Sequence, residues 1–454
     1  MKPQAGKNHS LRGASRTRFA RVKNHSRFAR VKGTHDTLPE AHAQWARIAA
    51  VAKQVLERAG AVQLTPPIFE YSEVFTKSVG ESADLVVQKE MYTFVDAGAR
   101  SLTLRPEFTA GVLRAFIEHG LHVRPSPIKL WSIGPVFRAE KPQRGRFRQF
   151  HQVNCELLGL DAPLLDAEAI ALLYQIFSEL GLRELVVKLG SVGDPKDRQA
   201  YNHYLREALT PLADRLSETS RERLRLNPMR VLDSKSAEDQ AVVADLKRPL
   251  DFLGEAARVH FAQVQAYLSD WEIPFELEPN MVRGLDYYRR TAFEFHHGAI
   301  GAQSALCGGG RYDGLVEQLG GPPTPGVGWA FGLERLLDAL QQEGALPTES
   351  ARPLLYLIPM DEEAVGEVAK AALTLRRHGI VLHAYAPRNP GKGLKEADRA
   401  GAVLAALRGS REREQRAYQI KELASGAQFE VPEGELAAFL RHKARDNEAN
   451  TLLR

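Results

Sequence analysis

The stretch from Ile128 to Gly159 constrains this chain more than any other, because it reads as a strand, a basic loop and a second strand. Along the second strand Val153, Cys155 and Leu157 point one way, and Gln152, Asn154 and Glu156 point the other. The first set is a core face; the second carries an amide and a carboxylate where apolar residues would serve a plain sheet. The first strand ends at Arg138, so pairing through the loop 139–147 brings a guanidinium to that polar face. Such a mixture suits a ligand with both an anionic group and a donor or cationic group. A solvated face with an internal ion pair fits the same spacing. The loop carries Lys141, Arg144 and Arg146, followed by Arg148, with Phe147 between, which suits phosphates and a stacking base or simply a solvated basic hairpin.

Charge elsewhere is less informative than the net of +5 suggests. Residues 1–32 hold four Lys, six Arg and no acid, a charge of +10, leaving −5 for the remainder. The basic pI therefore gives no argument that the folded body binds nucleic acid. Within this segment Arg18-Phe-Ala-Arg-Val-Lys23 recurs as Arg27-Phe-Ala-Arg-Val-Lys32, and Lys7-Asn-His-Ser10 as Lys23-Asn-His-Ser26. Two short copies are too few for a solenoid. Like charge with little apolar content predicts disorder. A functionless extension from an early start, an electrostatic RNA-binding arm and an organelle transit peptide all fit it.

A length of 454 residues predicts two or three domains. The two cysteines, Cys155 and Cys307, exclude a disulfide framework and any CxxC metal site, and they fit a reducing compartment. No apolar run approaches the ~20 residues of a membrane helix.

Helical spacing of Trp45, Ile48, Val51, Val55 and Leu56 predicts a helix over 40–59. Residues 85–95 and 100–105 alternate as paired strands around the turn Asp96-Ala-Gly98, and a helix follows from Phe108 to His119. Residues 195–260 are rich in Arg, Glu, Leu and Ala at helical spacing and read as a mostly helical insertion. After a linker over 346–352, strands at 354–358, 380–385 and 402–407 alternate with helices at 362–378 and 392–400, which predicts a small α/β domain.

Four more stretches carry candidate chemistry. Glu107 and Thr109 in Arg105-Pro-Glu-Phe-Thr109 suit either a site or a helix-start cap. In Val282-Arg-Gly-Leu-Asp-Tyr-Tyr288, Arg283 sits beside a glycine and two tyrosines supply flat walls with hydroxyls. Cys307-Gly-Gly-Gly-Arg-Tyr-Asp-Gly314 has three glycines that fit a tight turn or a close approach. Neither GxGxxG nor a Walker A pattern is present. In Pro325-Gly-Val-Gly-Trp-Ala-Phe-Gly-Leu-Glu-Arg-Leu336, Arg335 lies off the apolar stripe near a helix start, where an anionic partner or plain solvent explains it.

Taken in order, these motifs resemble those of the class II aminoacyl-tRNA synthetases, and specifically the histidine–tRNA ligase family, over residues 30–430. The segment around Pro67 resembles motif 1, Phe137-Arg138 through Glu156 motif 2, and Gly328 through Leu337 motif 3. Arg283-Gly-Leu-Asp-Tyr-Tyr288 and Gly309-Gly-Arg-Tyr-Asp313 are similar to the two stretches characteristic of the histidine enzyme, and Lys32-Gly-Thr-His-Asp36 resembles the family's first ordered strand.

The resemblance implies an α+β fold: a class II synthetase catalytic domain (33–345) built on an antiparallel sheet flanked by helices, with the helical insertion, an anticodon-binding α/β domain (353–435) and a C-terminal tail (436–454). It implies ATP-dependent ligation of L-histidine to tRNA(His) through histidyl-adenylate, with Mg2+ bound to ATP and no protein metal-ligand set, in a cytoplasmic homodimer. Glu107 and Thr109 would hold the α-amino group, Gln152 the substrate near its carboxylate, and Glu156, Tyr287, Tyr288 and Tyr312 the imidazole. Arg138 and Arg283 would contact the α-phosphate and Arg335 the γ-phosphate, with Glu140, Phe150 and Gly332 completing the ATP site. Lys141, Gln143, Arg144 and Arg146 would reach tRNA. One departure stands out: Phe108 occupies the place of the family's usual glycine, and its side chain is expected to point away from histidine.

Three rivals share parts of this pattern. A catalytically inactive paralogue serves as the histidine-sensing regulatory subunit of ATP phosphoribosyltransferase, but it lacks the C-terminal domain and degrades the two histidine-specific stretches, both intact here. A fusion that senses uncharged tRNA would carry kinase motifs, which are absent. A class II enzyme for another amino acid fits poorly with Glu156 beside paired tyrosines.

Overall fold

The computed structural model describes residues 28–79, 90–142, 145–281, 287–298, 305–346 and 352–452. Arg283, Gln143, Arg144, residues 85–89 of the expected strand, most of the linker and nearly all of the basic N-terminal segment lie outside the described residues. The chain divides into two compact units, Met1–Ala345 and Leu346–Arg454.

The strands of the first unit are β1 (Val62–Gln63), β2 (Phe69–Tyr71), β3 (Thr93–Val95), β4 (Ser101–Leu104), β5 (Ile128–Phe137), β6 (Gln149–Leu158), β7 (Leu185–Ser191), β8 (Phe275–Leu277), β9 (Arg289–His297), β10 (Ala305–Arg311) and β11 (Gly326–Gly332). Eight form one sheet in the order β1-β5-β6-β11-β10-β9-β7-β8. Its outer pairs, β1/β5 and β7/β8, are parallel and the five inner pairs antiparallel. The fold is therefore α+β, with an antiparallel-rich sheet flanked by helices.

The alternation on β6 decides how this sheet is covered. The face of Val153, Cys155 and Leu157 is fully buried. Helix Pro163–Glu179 packs against the sheet, its Phe177 ring meeting Phe295 at 5.6 Å and Phe331 at 5.3 Å. The opposite face carries Gln152, Asn154 and Glu156, also buried, and is covered in part by helix Thr109–Glu118, whose Val112, Leu113 and Phe116 join Phe108, Leu158 and Tyr312 in one apolar cluster.

A separate three-stranded antiparallel sheet has the order β2-β4-β3. The strand expected over 85–95 is described only from Thr93, and its partner is Ser101–Leu104. Asp96 shapes the turn between them: its Oδ1 accepts from the N–H groups of Gly98 and Arg100, each at 2.9 Å.

The helical stretch after β7 has its own core, in which Tyr201, Leu205, Leu224, Met229 and Val243 pack together. Helix Pro195–Leu209 opens it with a capping box between Asp194 and Asp197. Helix Glu255–Asp270 packs instead on Pro163–Glu179, where His260 Nε2 lies 2.7 Å from Asp166 Oδ2.

In the second unit β12 (Leu355–Pro359), β13 (Val381–His383), β14 (Leu404–Arg408), β15 (Ala417–Glu422) and β16 (Gln428–Pro432) form a sheet in the order β13-β12-β14-β15-β16. The first three strands are parallel and the last two antiparallel. The expected C-terminal tail, 436–454, is helical over its described residues. Leu436–Leu452 is a helix, because Leu436 and Leu440, four apart, are buried in this unit's core with Tyr418 and Ile420.

Candidate active site

The floor of the cleft is the polar face of the large sheet, and cross-strand register sets its rows. Gln152 faces Gly332, Asn154 faces Ala330 and Glu156 faces Gly328. On the next strands Gly328 is paired with Gly310 and Ala330 with Gly308, and Gly308 with Glu294. The glycine run is thus no turn; it lies inside β10. Its neighbours and those of β11 carpet the floor with Gly and Ala, so a ligand rests on backbone while polar side chains rise from β6 and β9. The cavity above holds about 420 Å³, the size of a small-molecule site.

Glu156 is its most constrained group. Its Oε1 accepts from Thr109 Oγ1 at 2.6 Å and Asn154 Nδ2 at 2.9 Å, and its Oε2 from the Tyr312 hydroxyl. Burial pushes its carboxyl up to about 7 and the charge of Glu107 adds to this, while the hydrogen bonds from Thr109, Tyr312 and Asn154 pull it down. Tyr287 and Tyr312 are raised well above the usual phenol range, first by burial. Tyr287 sits 4.8 Å from the Tyr288 ring and 6.0 Å from that of Tyr312, forming an aromatic wall.

Glu107 is both cap and lining. It accepts from the N–H groups of Thr109 and Ala110, satisfying the start of helix Thr109–Glu118, while also facing the cleft. Burial raises its carboxyl. Phe108 has φ −98° and ψ −31°, a right-handed conformation open to any L-residue, so no glycine is required there. Its ring is buried in the apolar cluster beneath Arg105, whose guanidinium carbon is 4.3 Å from the ring centre.

Arg138 follows the end of β5; its Nε donates to Pro106 O at 3.1 Å and its guanidinium lies 5.2 Å from the Phe150 ring. Arg335, in the first turn of helix Leu333–Gln342, donates to Gly145 O at 3.3 Å and Ala305 O at 2.8 Å. Burial lowers its pKa, and the nearby charge of Arg146 lowers it further. Both guanidiniums reach the cleft, as do Glu140, Phe150, Gln152, Gly332 and Arg146. Arg146 pairs with Glu140 at 3.0 Å, and Lys141 is exposed away from the lining. Gln152 Oε1 is buried without a hydrogen-bond partner among the described residues, an acceptor left open.

The sequence of residues 33–336 matches the profile of the family described as histidyl-tRNA synthetase, and residues 355–443 match an anticodon binding domain. The chain belongs to the histidyl-tRNA synthetase family. It is 56% identical to a histidine–tRNA ligase of Thermus thermophilus over 412 residues, spanning 90% of this chain and 98% of that one. It is 52% identical to the corresponding ligase of Deinococcus radiodurans, spanning 90% of this chain and 99% of that one. Among solved structures, apo histidyl-tRNA synthetase of S. aureus superposes with a TM-score of 0.77 at 35% identity, covering 91% of this chain and all of the other.

Within this synthetase-family cleft the structure adds groups that the motifs did not single out. Glu294 faces the floor from β9, paired with Gly308. The alternation of Phe293 and Phe295 with Glu294 and His296 carries that signal. Glu334 accepts from the backbone N–H of His151 at 3.0 and 3.1 Å, tying the helix that bears Arg335 to the start of β6. Among the described residues no group of three His, Cys, Asp or Glu is placed to hold a metal ion, and no helix is long and apolar enough to cross a membrane.

Proposed function

We propose that this cleft activates L-histidine with ATP and transfers it to tRNA(His). The carrying observation is Glu156: a buried carboxyl at the cleft floor that accepts from Thr109, Asn154 and the Tyr312 hydroxyl. A neutral imidazole has one donor and one acceptor, and a carboxylate with a tyrosine hydroxyl meets both. Rejection of analogues lacking those groups follows, since they leave the buried partners unpaired. Glu107 and Thr109 suit the α-ammonium group of the substrate, and Gln152 lines the cleft where it would hold the substrate near its carboxylate.

In the first step the histidine carboxylate attacks the α-phosphorus of ATP, the bond to the β-phosphate oxygen breaks, and pyrophosphate leaves with the electron pair. No protein nucleophile takes part. Negative charge builds on the α-phosphoryl oxygens, where pre-oriented guanidiniums stabilise it. Arg138 serves there, and Arg283 joins it by family resemblance. Arg335 takes the γ-phosphate; its hydrogen bonds to two carbonyls fix its direction without neutralising it. Phe150 flanks the nucleotide beside Arg138, with Glu140 and Gly332 lining the same site. Mg2+ would accompany ATP as part of that substrate and would offset phosphate charge. In the second step the terminal ribose hydroxyl of tRNA attacks the mixed anhydride and AMP departs. By family resemblance Lys141, Gln143, Arg144 and Arg146 would contact that tRNA, and residues 353–435 would bind the anticodon. A homodimer working in the cytoplasm completes the proposal.

Histidine-dependent ATP–pyrophosphate exchange tests it, with Arg283→Ala alongside. Exchange that responds to histidine alone and collapses in the variant supports activation of that amino acid. A folded protein that exchanges with no amino acid overturns the proposal in favour of a histidine-sensing regulatory subunit.

A further inference from the structure

A second concavity of about 340 Å³ lies where the helical insertion meets the catalytic body. Pro195, Arg198, Gln199, Asn202 and Arg206 form one side, and their spacing places them on a single face of helix Pro195–Leu209. The other side brings Arg289, Asp313 and Gln318, with Tyr287 at the end. Tyr287 also lines the main cleft, so the two sites share a wall.

Three guanidiniums therefore line the groove with one carboxylate, whose Oδ1 is held from elsewhere. Asp313 Oδ1 accepts from Arg311 Nη1 and from the Gly326 N–H, each at 3.0 Å. The guanidiniums of Arg206 and Arg289 make no hydrogen bond or ion pair among the described residues, although the Arg206 carbonyl accepts from Thr210 Oγ1 at 2.6 Å. Arg198 is anchored, its Nη1 donating to Tyr288 O at 3.1 Å. Asn202 Oδ1 is buried without a partner among the described residues. Turning that amide over would present an NH2 donor at the same place. A merely solvated stripe of arginines does not call for a concave wall or a half-buried amide whose oxygen is covered and unpartnered. Guanidinium forks matched by amide donors are instead the recognition chemistry of phosphate oxygens.

We propose that this groove binds a phosphate group, separately from the nucleotide in the main cleft. The phosphate belongs either to a free compound such as pyrophosphate or to a phosphodiester of bound RNA. Because Arg198 holds the carbonyl of Tyr288, occupancy of the groove bears on the segment that carries both cleft tyrosines.

The test uses the full chain with its main cleft saturated by histidinol and a non-hydrolysable ATP analogue, which together fill the amino-acid, adenylate and β,γ-phosphate positions. Calorimetry with inorganic pyrophosphate at low ionic strength measures one arm, and filter binding of tRNA(His) across a salt series measures the other. The variants are Arg206→Ala/Arg289→Ala and Arg206→Glu, with far-UV circular dichroism and histidine-dependent exchange confirming an intact protein. A free phosphate ligand is expected to bind the wild type and lose about tenfold or more in affinity in the double variant. An RNA phosphodiester is expected to leave pyrophosphate unbound while tRNA affinity falls about tenfold and the salt slope drops by roughly one per lost contact. Unchanged affinity for both probes in both variants overturns the site. Saturation with these two ligands rests on the proposed histidine activation, and the exchange assay separates failure of that reading from failure of this one.

Discussion

Gly328 lies opposite Glu156 in the β11–β6 register, and a Cβ on it would overlap Oε2 of that carboxylate. The backbone carbonyl of Cys155 stands 2.8 Å from the same position, so the intruding methyl has no room to slide aside. The glycine thus gives Glu156 the volume it occupies, and through it the place of the Tyr312 hydroxyl.

Gly328→Ala is accordingly expected to raise KM for histidine more than KM for ATP. Overpacking a filled interior costs about 1–3 kcal/mol, which, if borne by the histidine-binding state, corresponds to roughly fivefold to 150-fold in affinity. Pyrophosphate exchange at varied histidine and fixed ATP measures it. Equal changes in both constants would show that the methyl disturbs the whole cleft rather than Glu156.

Glu156 also makes a pH signature. Its carboxyl rises from 4.5 to about 7 on folding, so between those values the folded chain holds a proton the unfolded chain has lost. Its stabilising contribution is present below the unfolded value and fades as pH climbs through 7, an effect of roughly 3 kcal/mol at most. Glu156→Gln, which cannot ionise, should gain Tm relative to the wild type on going from pH 5 to pH 8 without ligand. Histidine binding runs the other way, because it uses the carboxylate: KM for histidine should increase roughly fourfold from pH 8 to 6.5 from this group alone. A Tm difference independent of pH would mean the carboxyl titrates in its ordinary range.

Phe108 separates local geometry from packing. Its backbone is right-handed and its ring buried with Val112 and Leu113, so it acts on stability rather than on substrate. Phe108→Ala should cost about 3–5 kcal/mol in chemical denaturation, while KM for histidine in the folded fraction stays within about twofold. A large KM change without loss of stability would place the ring's effect in the site.

The basic hairpin and polar strand were legible because alternation fixes which side chains share a face, and Gln152, Asn154 and Glu156 have no apolar substitute among them. The glycine run was legible as a cost but not as a location, since a turn and a crowded sheet floor demand the same residue. The alternation of Phe293 and Phe295 with Glu294 and His296 marks Glu294 as lying on a polar face, but that this face is the cleft floor depends on register with Gly308, a pairing between strands that no local pattern encodes. The helix at 436–452 was hidden for a similar reason: its two buried leucines gain meaning only against Tyr418 and Ile420, strands away. The double use of Glu107, capping a helix while lining the cleft, is invisible to any argument that sets one role against the other.

The small sheet carries the remaining prediction. Register puts Phe69, Tyr71, Leu102, Leu104 and Phe94 on one face, and Glu70 and Thr103 on the other. The second face is buried, with Glu70 paired to Arg114. The first is open: Phe69 is 51% exposed, Tyr71 48% and Phe94 43%, with Ile68 beside them at 44%. A contiguous aromatic face of this kind is costly in water and is the usual mark of a protein interface. It adjoins the segment around Pro67, whose carbonyl, with that of Pro66, accepts from Arg105, so pairing of two copies there would brace the strand leading to Glu107. Phe69→Asp/Phe94→Lys is therefore expected to convert a dimer to a monomer in sedimentation equilibrium at micromolar protein and to lower histidine-dependent exchange together with it. A wild-type chain that sediments as a monomer, or a variant that stays dimeric, would move the interface off this sheet.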